Sequence, residues 1–296
     1  GKVQLIDATQ WYKPLRKSLG KKNCELSEED IRHIVEGEDY STDYWPVLRD
    51  YLEDEDAEVR SLALDGLWDY PVPELITPLL EMVRNDPSQE VRSKAIVTLG
   101  RYIYEGTMAD YDFDWGAMEE LMREDELPEE DFLRVKDFLL ELVRDEGQSL
   151  DSRRFAIEAL SFLNEPAVQD LIEAAYAHPD VKMKVSAVFA MGRQGDRRWA
   201  DTLLKELDSE VKELQYEAVR AAGEAGLDKA VPRLKELALD DDKDLRLEAI
   251  WALGRIGGEG VSEFLYDLAD DADEEVREMA EAALEELSLW SEDLVG

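Results

Sequence analysis

Apolar residues in this chain recur at spacings of three and four. Between Trp199 and Ala225 a stripe runs through Leu203, Leu204 and Leu207, breaks at Asp208-Ser209-Glu210, and resumes as Leu214, Ala218, Ala221 and Ala222. Residues three and four apart share one helical face, so the pattern predicts helices over 199–207 and 211–225 joined by a polar turn. The pair then repeats. Ala156, Ala187, Ala218, Ala249 and Ala280 follow one another at intervals of 31 residues; Ala63 to Ala95 is 32, and Ala95 to Ala156 is 61, close to two periods. Around each alanine lies one frame: an aliphatic residue, often Arg, then Ala, then Leu-Gly. It reads Val91-Arg92-Ser93-Lys94-Ala95 to Leu99-Gly100, and Leu245-Arg246-Leu247-Glu248-Ala249 to Leu253-Gly254. A fixed period of roughly 20–50 residues signals a solenoid, in which each unit packs on its neighbours.

The frame predicts helix pairs at about 44–69, 73–104, 129–163, 166–193, 197–225, 228–256 and 259–288. Asp56, Asp180, Asp242 and Asp273 precede the frame's aliphatic position by three residues, where a carboxylate caps free N–H groups. Arg60, Arg92, Arg153, Arg246 and Arg277 follow that position, and structural ladders between such Asp and Arg side chains are expected. Gly192, Gly223 and Gly254 follow the leucine position, where a side chain would obstruct packing or the next turn.

These repeats resemble the HEAT-repeat family, and within it the short HEAT-like repeats of phycobilisome bilin lyases, over about residues 44–288. The resemblance implies an all-α fold: a HEAT-like α–α superhelical solenoid of about seven helix pairs, with an N-terminal cap and one insertion. It also implies that the second helices line a concave surface and that the protein binds or scaffolds other proteins.

Two stretches depart from the period. Between Gly100 and Pro128 an insertion (about 101–128) carries Tyr102, Tyr104, Tyr111, Phe113, Trp115, Met118 and Met122 with Asp110, Asp112 and Asp114. Insertions in arrays gather on one face and often bind, so Tyr111, Phe113 and Trp115 are candidate contacts; a local cap over the solenoid is the alternative. Residues 1–43 form a basic segment and capping helix, and 289–296 a tail. Within 3–37, Leu5-Ile6-Asp7-Ala8 followed by Leu19-Gly20-Lys21-Lys22 resembles a non-catalytic segment of type I restriction–modification methylase subunits. That resemblance implies a fragment of a longer polypeptide or a recombined gene, and a start at Gly1 agrees with a fragment or a tag remnant. Neither an Asn-Pro-Pro-Phe-type motif nor a Gly-rich cofactor loop accompanies it, so methyl transfer is not implied. Ser27-Glu28-Glu29-Asp30 reads as a helix start, with Ile31, Ile34 and Val35 as the stripe of a capping helix.

Charge narrows the choice of partner. Basic residues number 34 and acidic residues 72, for a net charge of −38. Residues 1–22 carry +5, which leaves −43 on the rest. Such a chain repels nucleic acid at long range, so direct nucleic-acid binding is disfavoured, though the basic N-terminus and the groove arginines keep it open. The acidity itself reads as a device for solubility or as the mark of a salt-rich cytoplasm. One cysteine, Cys24, excludes a disulfide framework and a multi-thiolate zinc site. No apolar run approaches the roughly 18 residues of a membrane helix, and no signal peptide is visible, so a cytoplasmic protein without membrane contact is expected.

No constellation of catalytic residues emerges. The histidines are His33 and His178; the latter ends a helix, where it would favour the dipole. Gly-x-Ser-x-Gly elbows are absent. The runs Asp240-Asp241-Asp242-Lys243-Asp244 and Asp270-Asp271-Ala272-Asp273 lack the glycine and distal glutamate of a calcium loop and read as solvated turns. Neither metal nor cofactor is expected, and an enzyme is the less favoured reading.

Columns across the repeats carry the site prediction. Two, six and ten residues after the frame's aliphatic position, the second helix is expected to face the groove. These columns supply Arg154, Val185, Tyr216 and Leu247; Glu158, Phe189, Arg220 and Trp251; and Phe162, Arg193, Glu224 and Arg255. Arginines beside large aromatics have the composition of interface hot spots. The proposed partner groove is Arg154, Phe162, Val185, Phe189, Arg193, Tyr216, Arg220, Leu247, Trp251 and Arg255, for a protein or peptide partner; the alternative is that neighbouring helices cover these aromatics. The other readings are a bilin-lyase-like handling of a tetrapyrrole, or an accessory or fragment of a DNA restriction–modification system.

Overall fold

Several helices start where the sequence supplies an acceptor or a proline. A computed structural model describes residues 12–19, 22–26, 45–108 and 127–292, with side chains for 45–107 and 127–289. Among the described residues the helices fall into pairs: α1 (Trp45–Asp50) with α2 (Ala57–Leu67), α3 (Pro73–Asn85) with α4 (Gln89–Met108), and α5 (Glu129–Arg144) with α6 (Leu150–Leu160). They continue as α7 (Pro166–Tyr176) with α8 (Val181–Gln194), α9 (Ala200–Glu206) with α10 (Lys212–Glu224), α11 (Val231–Leu237) with α12 (Lys243–Ile256), and α13 (Val261–Leu268) with α14 (Glu274–Glu292). The fold is the expected all-α solenoid of seven pairs. One addition is an antiparallel hairpin, β1 (Tyr12–Leu19) and β2 (Lys22–Leu26), which sets Pro14 opposite Cys24. The capping helix expected after Ser27, His33 and the contacts Tyr111, Phe113 and Trp115 lie outside the described residues.

Three of the four expected caps form, whereas Asp242 makes no side-chain cap hydrogen bond and pairs with Lys212. Asp56 accepts from the Glu58 N–H, Asp180 from Lys182 and Asp273 from Glu275, at 2.9, 2.9 and 3.1 Å. Each relieves one unsatisfied donor of a helix start, worth about 0.5–2 kcal/mol. Pro73 and Pro166 open α3 and α7, where the missing N–H costs nothing.

Chain units at residues 1–98 and 99–296 are each compact, the division falling within α4. In the second, α8, α10, α12 and α14 pack side by side in sequence order. The frame glycine makes this possible. A Cβ on Gly192 would lie 2.6 Å from Ala221 Cα, and one on Gly254 would lie 2.7 Å from Ala283 Cβ. The glycine column of one repeat therefore faces an alanine column of the next, and the two backbones approach as larger side chains would forbid. Ala187, Ala218, Ala249 and Ala280 are fully buried along the same row.

The expected Asp–Arg ladder forms between Arg246 and Asp273, at 3.9 Å, but the closer partners of these arginines are carbonyls. Arg153 donates to the Val143 carbonyl at 2.9 Å, Arg246 to Asp240 and Arg277 to Asp271, both at 2.8 Å. Arg92 likewise reaches the Asp86 carbonyl at 2.5 Å. A guanidinium in a helix's first turn sits beside the preceding loop, whose carbonyls lack helical partners, and binds these. The capping aspartates pair more closely with lysines of the preceding repeat, Lys212 with Asp242 and Lys243 with Asp273, at 2.6 and 3.1 Å. Arg60 pairs with the carboxylate of Asp86 at 2.8 Å.

Helix α4 runs to Met108, eight residues past Gly100, into the stretch read as insertion. Tyr102 belongs to the core at 1% exposure, and the Tyr104 ring meets Phe162 edge-on at 5.2 Å.

Candidate binding site

The second helices of the repeats present one row of side chains in the unit of residues 99–296. Val185 on α8, Tyr216 and Arg220 on α10, and Leu247 and Trp251 on α12 line a groove of about 880 Å³, with Leu245 and Met279 completing its apolar part. Tyr216 is 39% exposed; Val185, Leu247 and Trp251 are half-buried. A groove of this volume falls in the range of ligand-holding clefts.

The other predicted residues form a ladder beside it. Arg193 lies 5.2 Å from the Phe162 ring and 5.3 Å from Phe189, and Arg220 lies 4.7 Å from Phe189. Such cation–π contacts are worth about 0.5–2 kcal/mol each. Arg255 reaches Trp251 at 6.0 Å and pairs with Glu286 at 2.5 Å. Arg154 covers the Phe155 ring at 3.8 Å and pairs with Asp151 and Glu158.

The arginines are engaged rather than free. Arg220 meets Glu217 at 3.0 Å and Glu224 at 2.9 Å, three residues before it and four after, and Arg193 lies 3.6 Å from Glu224. Glu158 accepts from the Ser186 hydroxyl, and Glu248 from the Tyr216 hydroxyl at 2.7 Å. Carboxylates thus outnumber the guanidinium groups they surround. Burial pushes the Glu217 carboxyl up to about 7, opposed by Arg220 and reinforced by Glu158 and Glu224. Burial likewise raises Glu158 and Glu248, and, joined by the Glu248 charge, pushes the Tyr216 phenol up to about 12.

The groove's rim is acidic. Glu213, Glu217, Asp240, Asp242, Asp244 and Glu248 face it against Lys212 and Arg220. Column reasoning missed these carboxylates as site residues. One signal lay in the frame, since Glu217 and Glu248 directly precede Ala218 and Ala249 in adjacent repeats. The aspartate runs serve their own loops: Asp240 accepts from the Asp242 N–H at 2.9 Å, and Asp271 from Asp273 at 2.8 Å. The dipole role expected of His178 is also revised. Its Nδ1 accepts from the Asp180 N–H at 3.0 Å, so the ring caps the loop as an acceptor. Among the described residues no helix is long and apolar enough to cross a membrane, and no group of His, Cys, Asp and Glu is arranged to hold a metal.

A family model described as HEAT repeats matches residues 45–113, 168–246 and 200–285. Among solved structures, the chain is similar to yeast importin-beta (Kap95p), at 13% identity and a TM-score of 0.52, over 88% of this chain and 36% of that one. It is also similar to the complex of CpcE and CpcF of phycocyanin lyase from Nostoc, at 17% identity and a TM-score of 0.52, over 83% of this chain and 89% of that one. At these identities the likeness is one of fold. No curated protein sequence matches the chain. The resemblance of residues 3–37 to methylase subunits has no counterpart in the family match, which begins at residue 45.

Proposed function

The chain belongs to the HEAT-repeat family, and from that premise we propose that it is a protein-interaction module that seats a protein or peptide partner in the groove of α8, α10, α12 and α14. One observation carries this reading: Tyr216, Leu247 and Trp251, large and incompletely buried, converge in a single groove. Interface hot spots are built from such half-buried aromatics, because a partner completes their desolvation. The solenoid supplies a rigid row of second helices, so side chains from three repeats act on one ligand.

Affinity capture on the full chain, followed by cross-linking to locate the contact, tests the proposal. Trp251→Ala and Leu247→Ala are expected to release the captured partner, with cross-links on α10 and α12. Tyr266→Ala, 65% exposed on a first helix, is expected to retain it. Retention by both groove variants would overturn the reading.

The phycocyanin-lyase likeness motivates a second reading, the handling of a tetrapyrrole on the same apolar surface. A new visible absorption band on mixing with a bilin would favour it. An accessory role beside a restriction–modification complex would instead show as retardation of duplex DNA, lost steeply with salt.

A further inference from the structure

The groove combines an apolar floor with a rim of one charge, and the two together specify what fits. Its floor is Val185, Tyr216, Leu247, Trp251 and Met279; its rim carries six carboxylates against two cations. Both cations are engaged, Lys212 with Asp242 at 2.6 Å and Arg220 with Glu217 and Glu224. An acidic segment placed here would bring its carboxylates against Glu213, Asp244 and Glu248 without a spare cation to receive them. A neutral apolar segment would cover the floor and strip water from the rim while compensating none of it. Opposite charge both attracts and steers.

We propose, resting on the groove reading above, that the partner is a basic segment in which lysine or arginine alternates with large apolar residues. The apolar residues lie on Tyr216, Leu247 and Trp251. The ammonium or guanidinium groups meet Glu213, Asp244 and Glu248 at the groove's acidic edge. Lysine and arginine suit this edge because their aliphatic stems cover apolar surface while their heads reach the carboxylates.

Fluorescence anisotropy on the full chain tests this with three labelled twelve-residue probes: alternating Lys and Leu, alternating Glu and Leu, and alternating Ser and Leu. The Lys probe is expected to bind about tenfold more tightly than the Ser probe, and the Glu probe not to bind. Raising sodium chloride from about 50 to 500 mM is expected to weaken the Lys probe about fivefold or more, as screening requires. Glu213→Gln combined with Asp244→Asn, both at exposed positions that leave the fold intact, is expected to weaken it severalfold. Trp251→Ala is expected to weaken every probe that binds. If the Ser or Glu probe binds as tightly as the Lys probe and remains sensitive to Trp251→Ala, the basic class is overturned while the groove reading stands. If binding of the Lys probe ignores Trp251→Ala, both are overturned. If it ignores the double rim variant, the charge assignment fails alone.

Discussion

Arg60 and Arg220 are both enclosed by protein, yet their surroundings are balanced in opposite ways. Arg60 meets the single carboxylate of Asp86 through two parallel bonds of 2.8 and 2.9 Å, with side chains 8% and 6% exposed. Its remaining donor goes to the carbonyls of Asp54 and Glu55, and Asp86 also accepts from the Ser88 N–H. That site is closed. Arg220 instead stands among Glu217 and Glu224, with Glu158 and Glu248 near, and Glu217 is driven up to about 7. Matched donors and acceptors make a structural joint with no capacity left over. Mismatched ones leave a surplus of carboxyl groups beside an open groove.

The largest effect is expected at the closed site. Arg60→Ala strands a buried carboxylate and should cost about 3–5 kcal/mol in urea unfolding, whereas the paired change Arg60→Met with Asp86→Leu should cost far less. Equal losses for the two would mean that packing, not charge, holds the joint. Next is Gly192→Ala, whose new methyl meets the Ala221 backbone at 2.6 Å and should cost about 2 kcal/mol. Gly66→Ala in the other unit meets only the flexible end of Leu48, at 2.9 Å, and thermal melting should show a smaller loss.

Arg220→Met tests the open site and should cost about 2 kcal/mol at pH 8 by urea titration, because Glu217 and Glu224 lose their counter-ion. At pH 5 the cost should shrink, since a protonated Glu217 needs no cation. The smallest change is Glu217→Gln. The folded-state pKa of Glu217, about 7, lies above the ordinary glutamate value of 4.5, so its contribution to stability is present below the lower value and lost as pH rises through the upper. The variant should therefore be about 1 kcal/mol more stable than the parent at pH 8, and their difference should close near pH 4.5. A difference that does not change with pH would refute the assignment.

Much of this was legible beforehand because it is local. Asp56 and Asp180 cap their helices from within two residues, and the apolar stripe through Leu214, Ala218 and Ala222 follows from helical spacing alone. The pairing of Arg220 with Glu217 and Glu224 was also local, at separations of three and four, although the groove reading left those arginines free to bind. Arg153, Arg246 and Arg277 bind carbonyls most closely because the end of the preceding helix or its loop lies beside a first helical turn, and Arg246 reaches the Asp273 carboxylate only at 3.9 Å. Column positions could not separate Val185 and Tyr216, which line the groove, from Phe189 and Arg193, which stack beside it. That distinction rests on how the second helices are offset.

What local spacing sets here is therefore the helices, their caps, the 31-residue repeat and the surplus of acid, since each depends on neighbours within a turn or on a sum over the chain. Packing between repeats settles the rest. Gly192 against Ala221 and Gly254 against Ala283 fix how closely adjacent second helices lie. Packing of α6 on α8 brings Glu158 within reach of Ser186, and packing of α10 on α12, close at Gly223 and Ala252, brings Tyr216 within reach of Glu248. It thereby decides which carboxylates are buried and which border the groove, because burial and Coulomb energy depend on distances in space that no interval along the chain specifies.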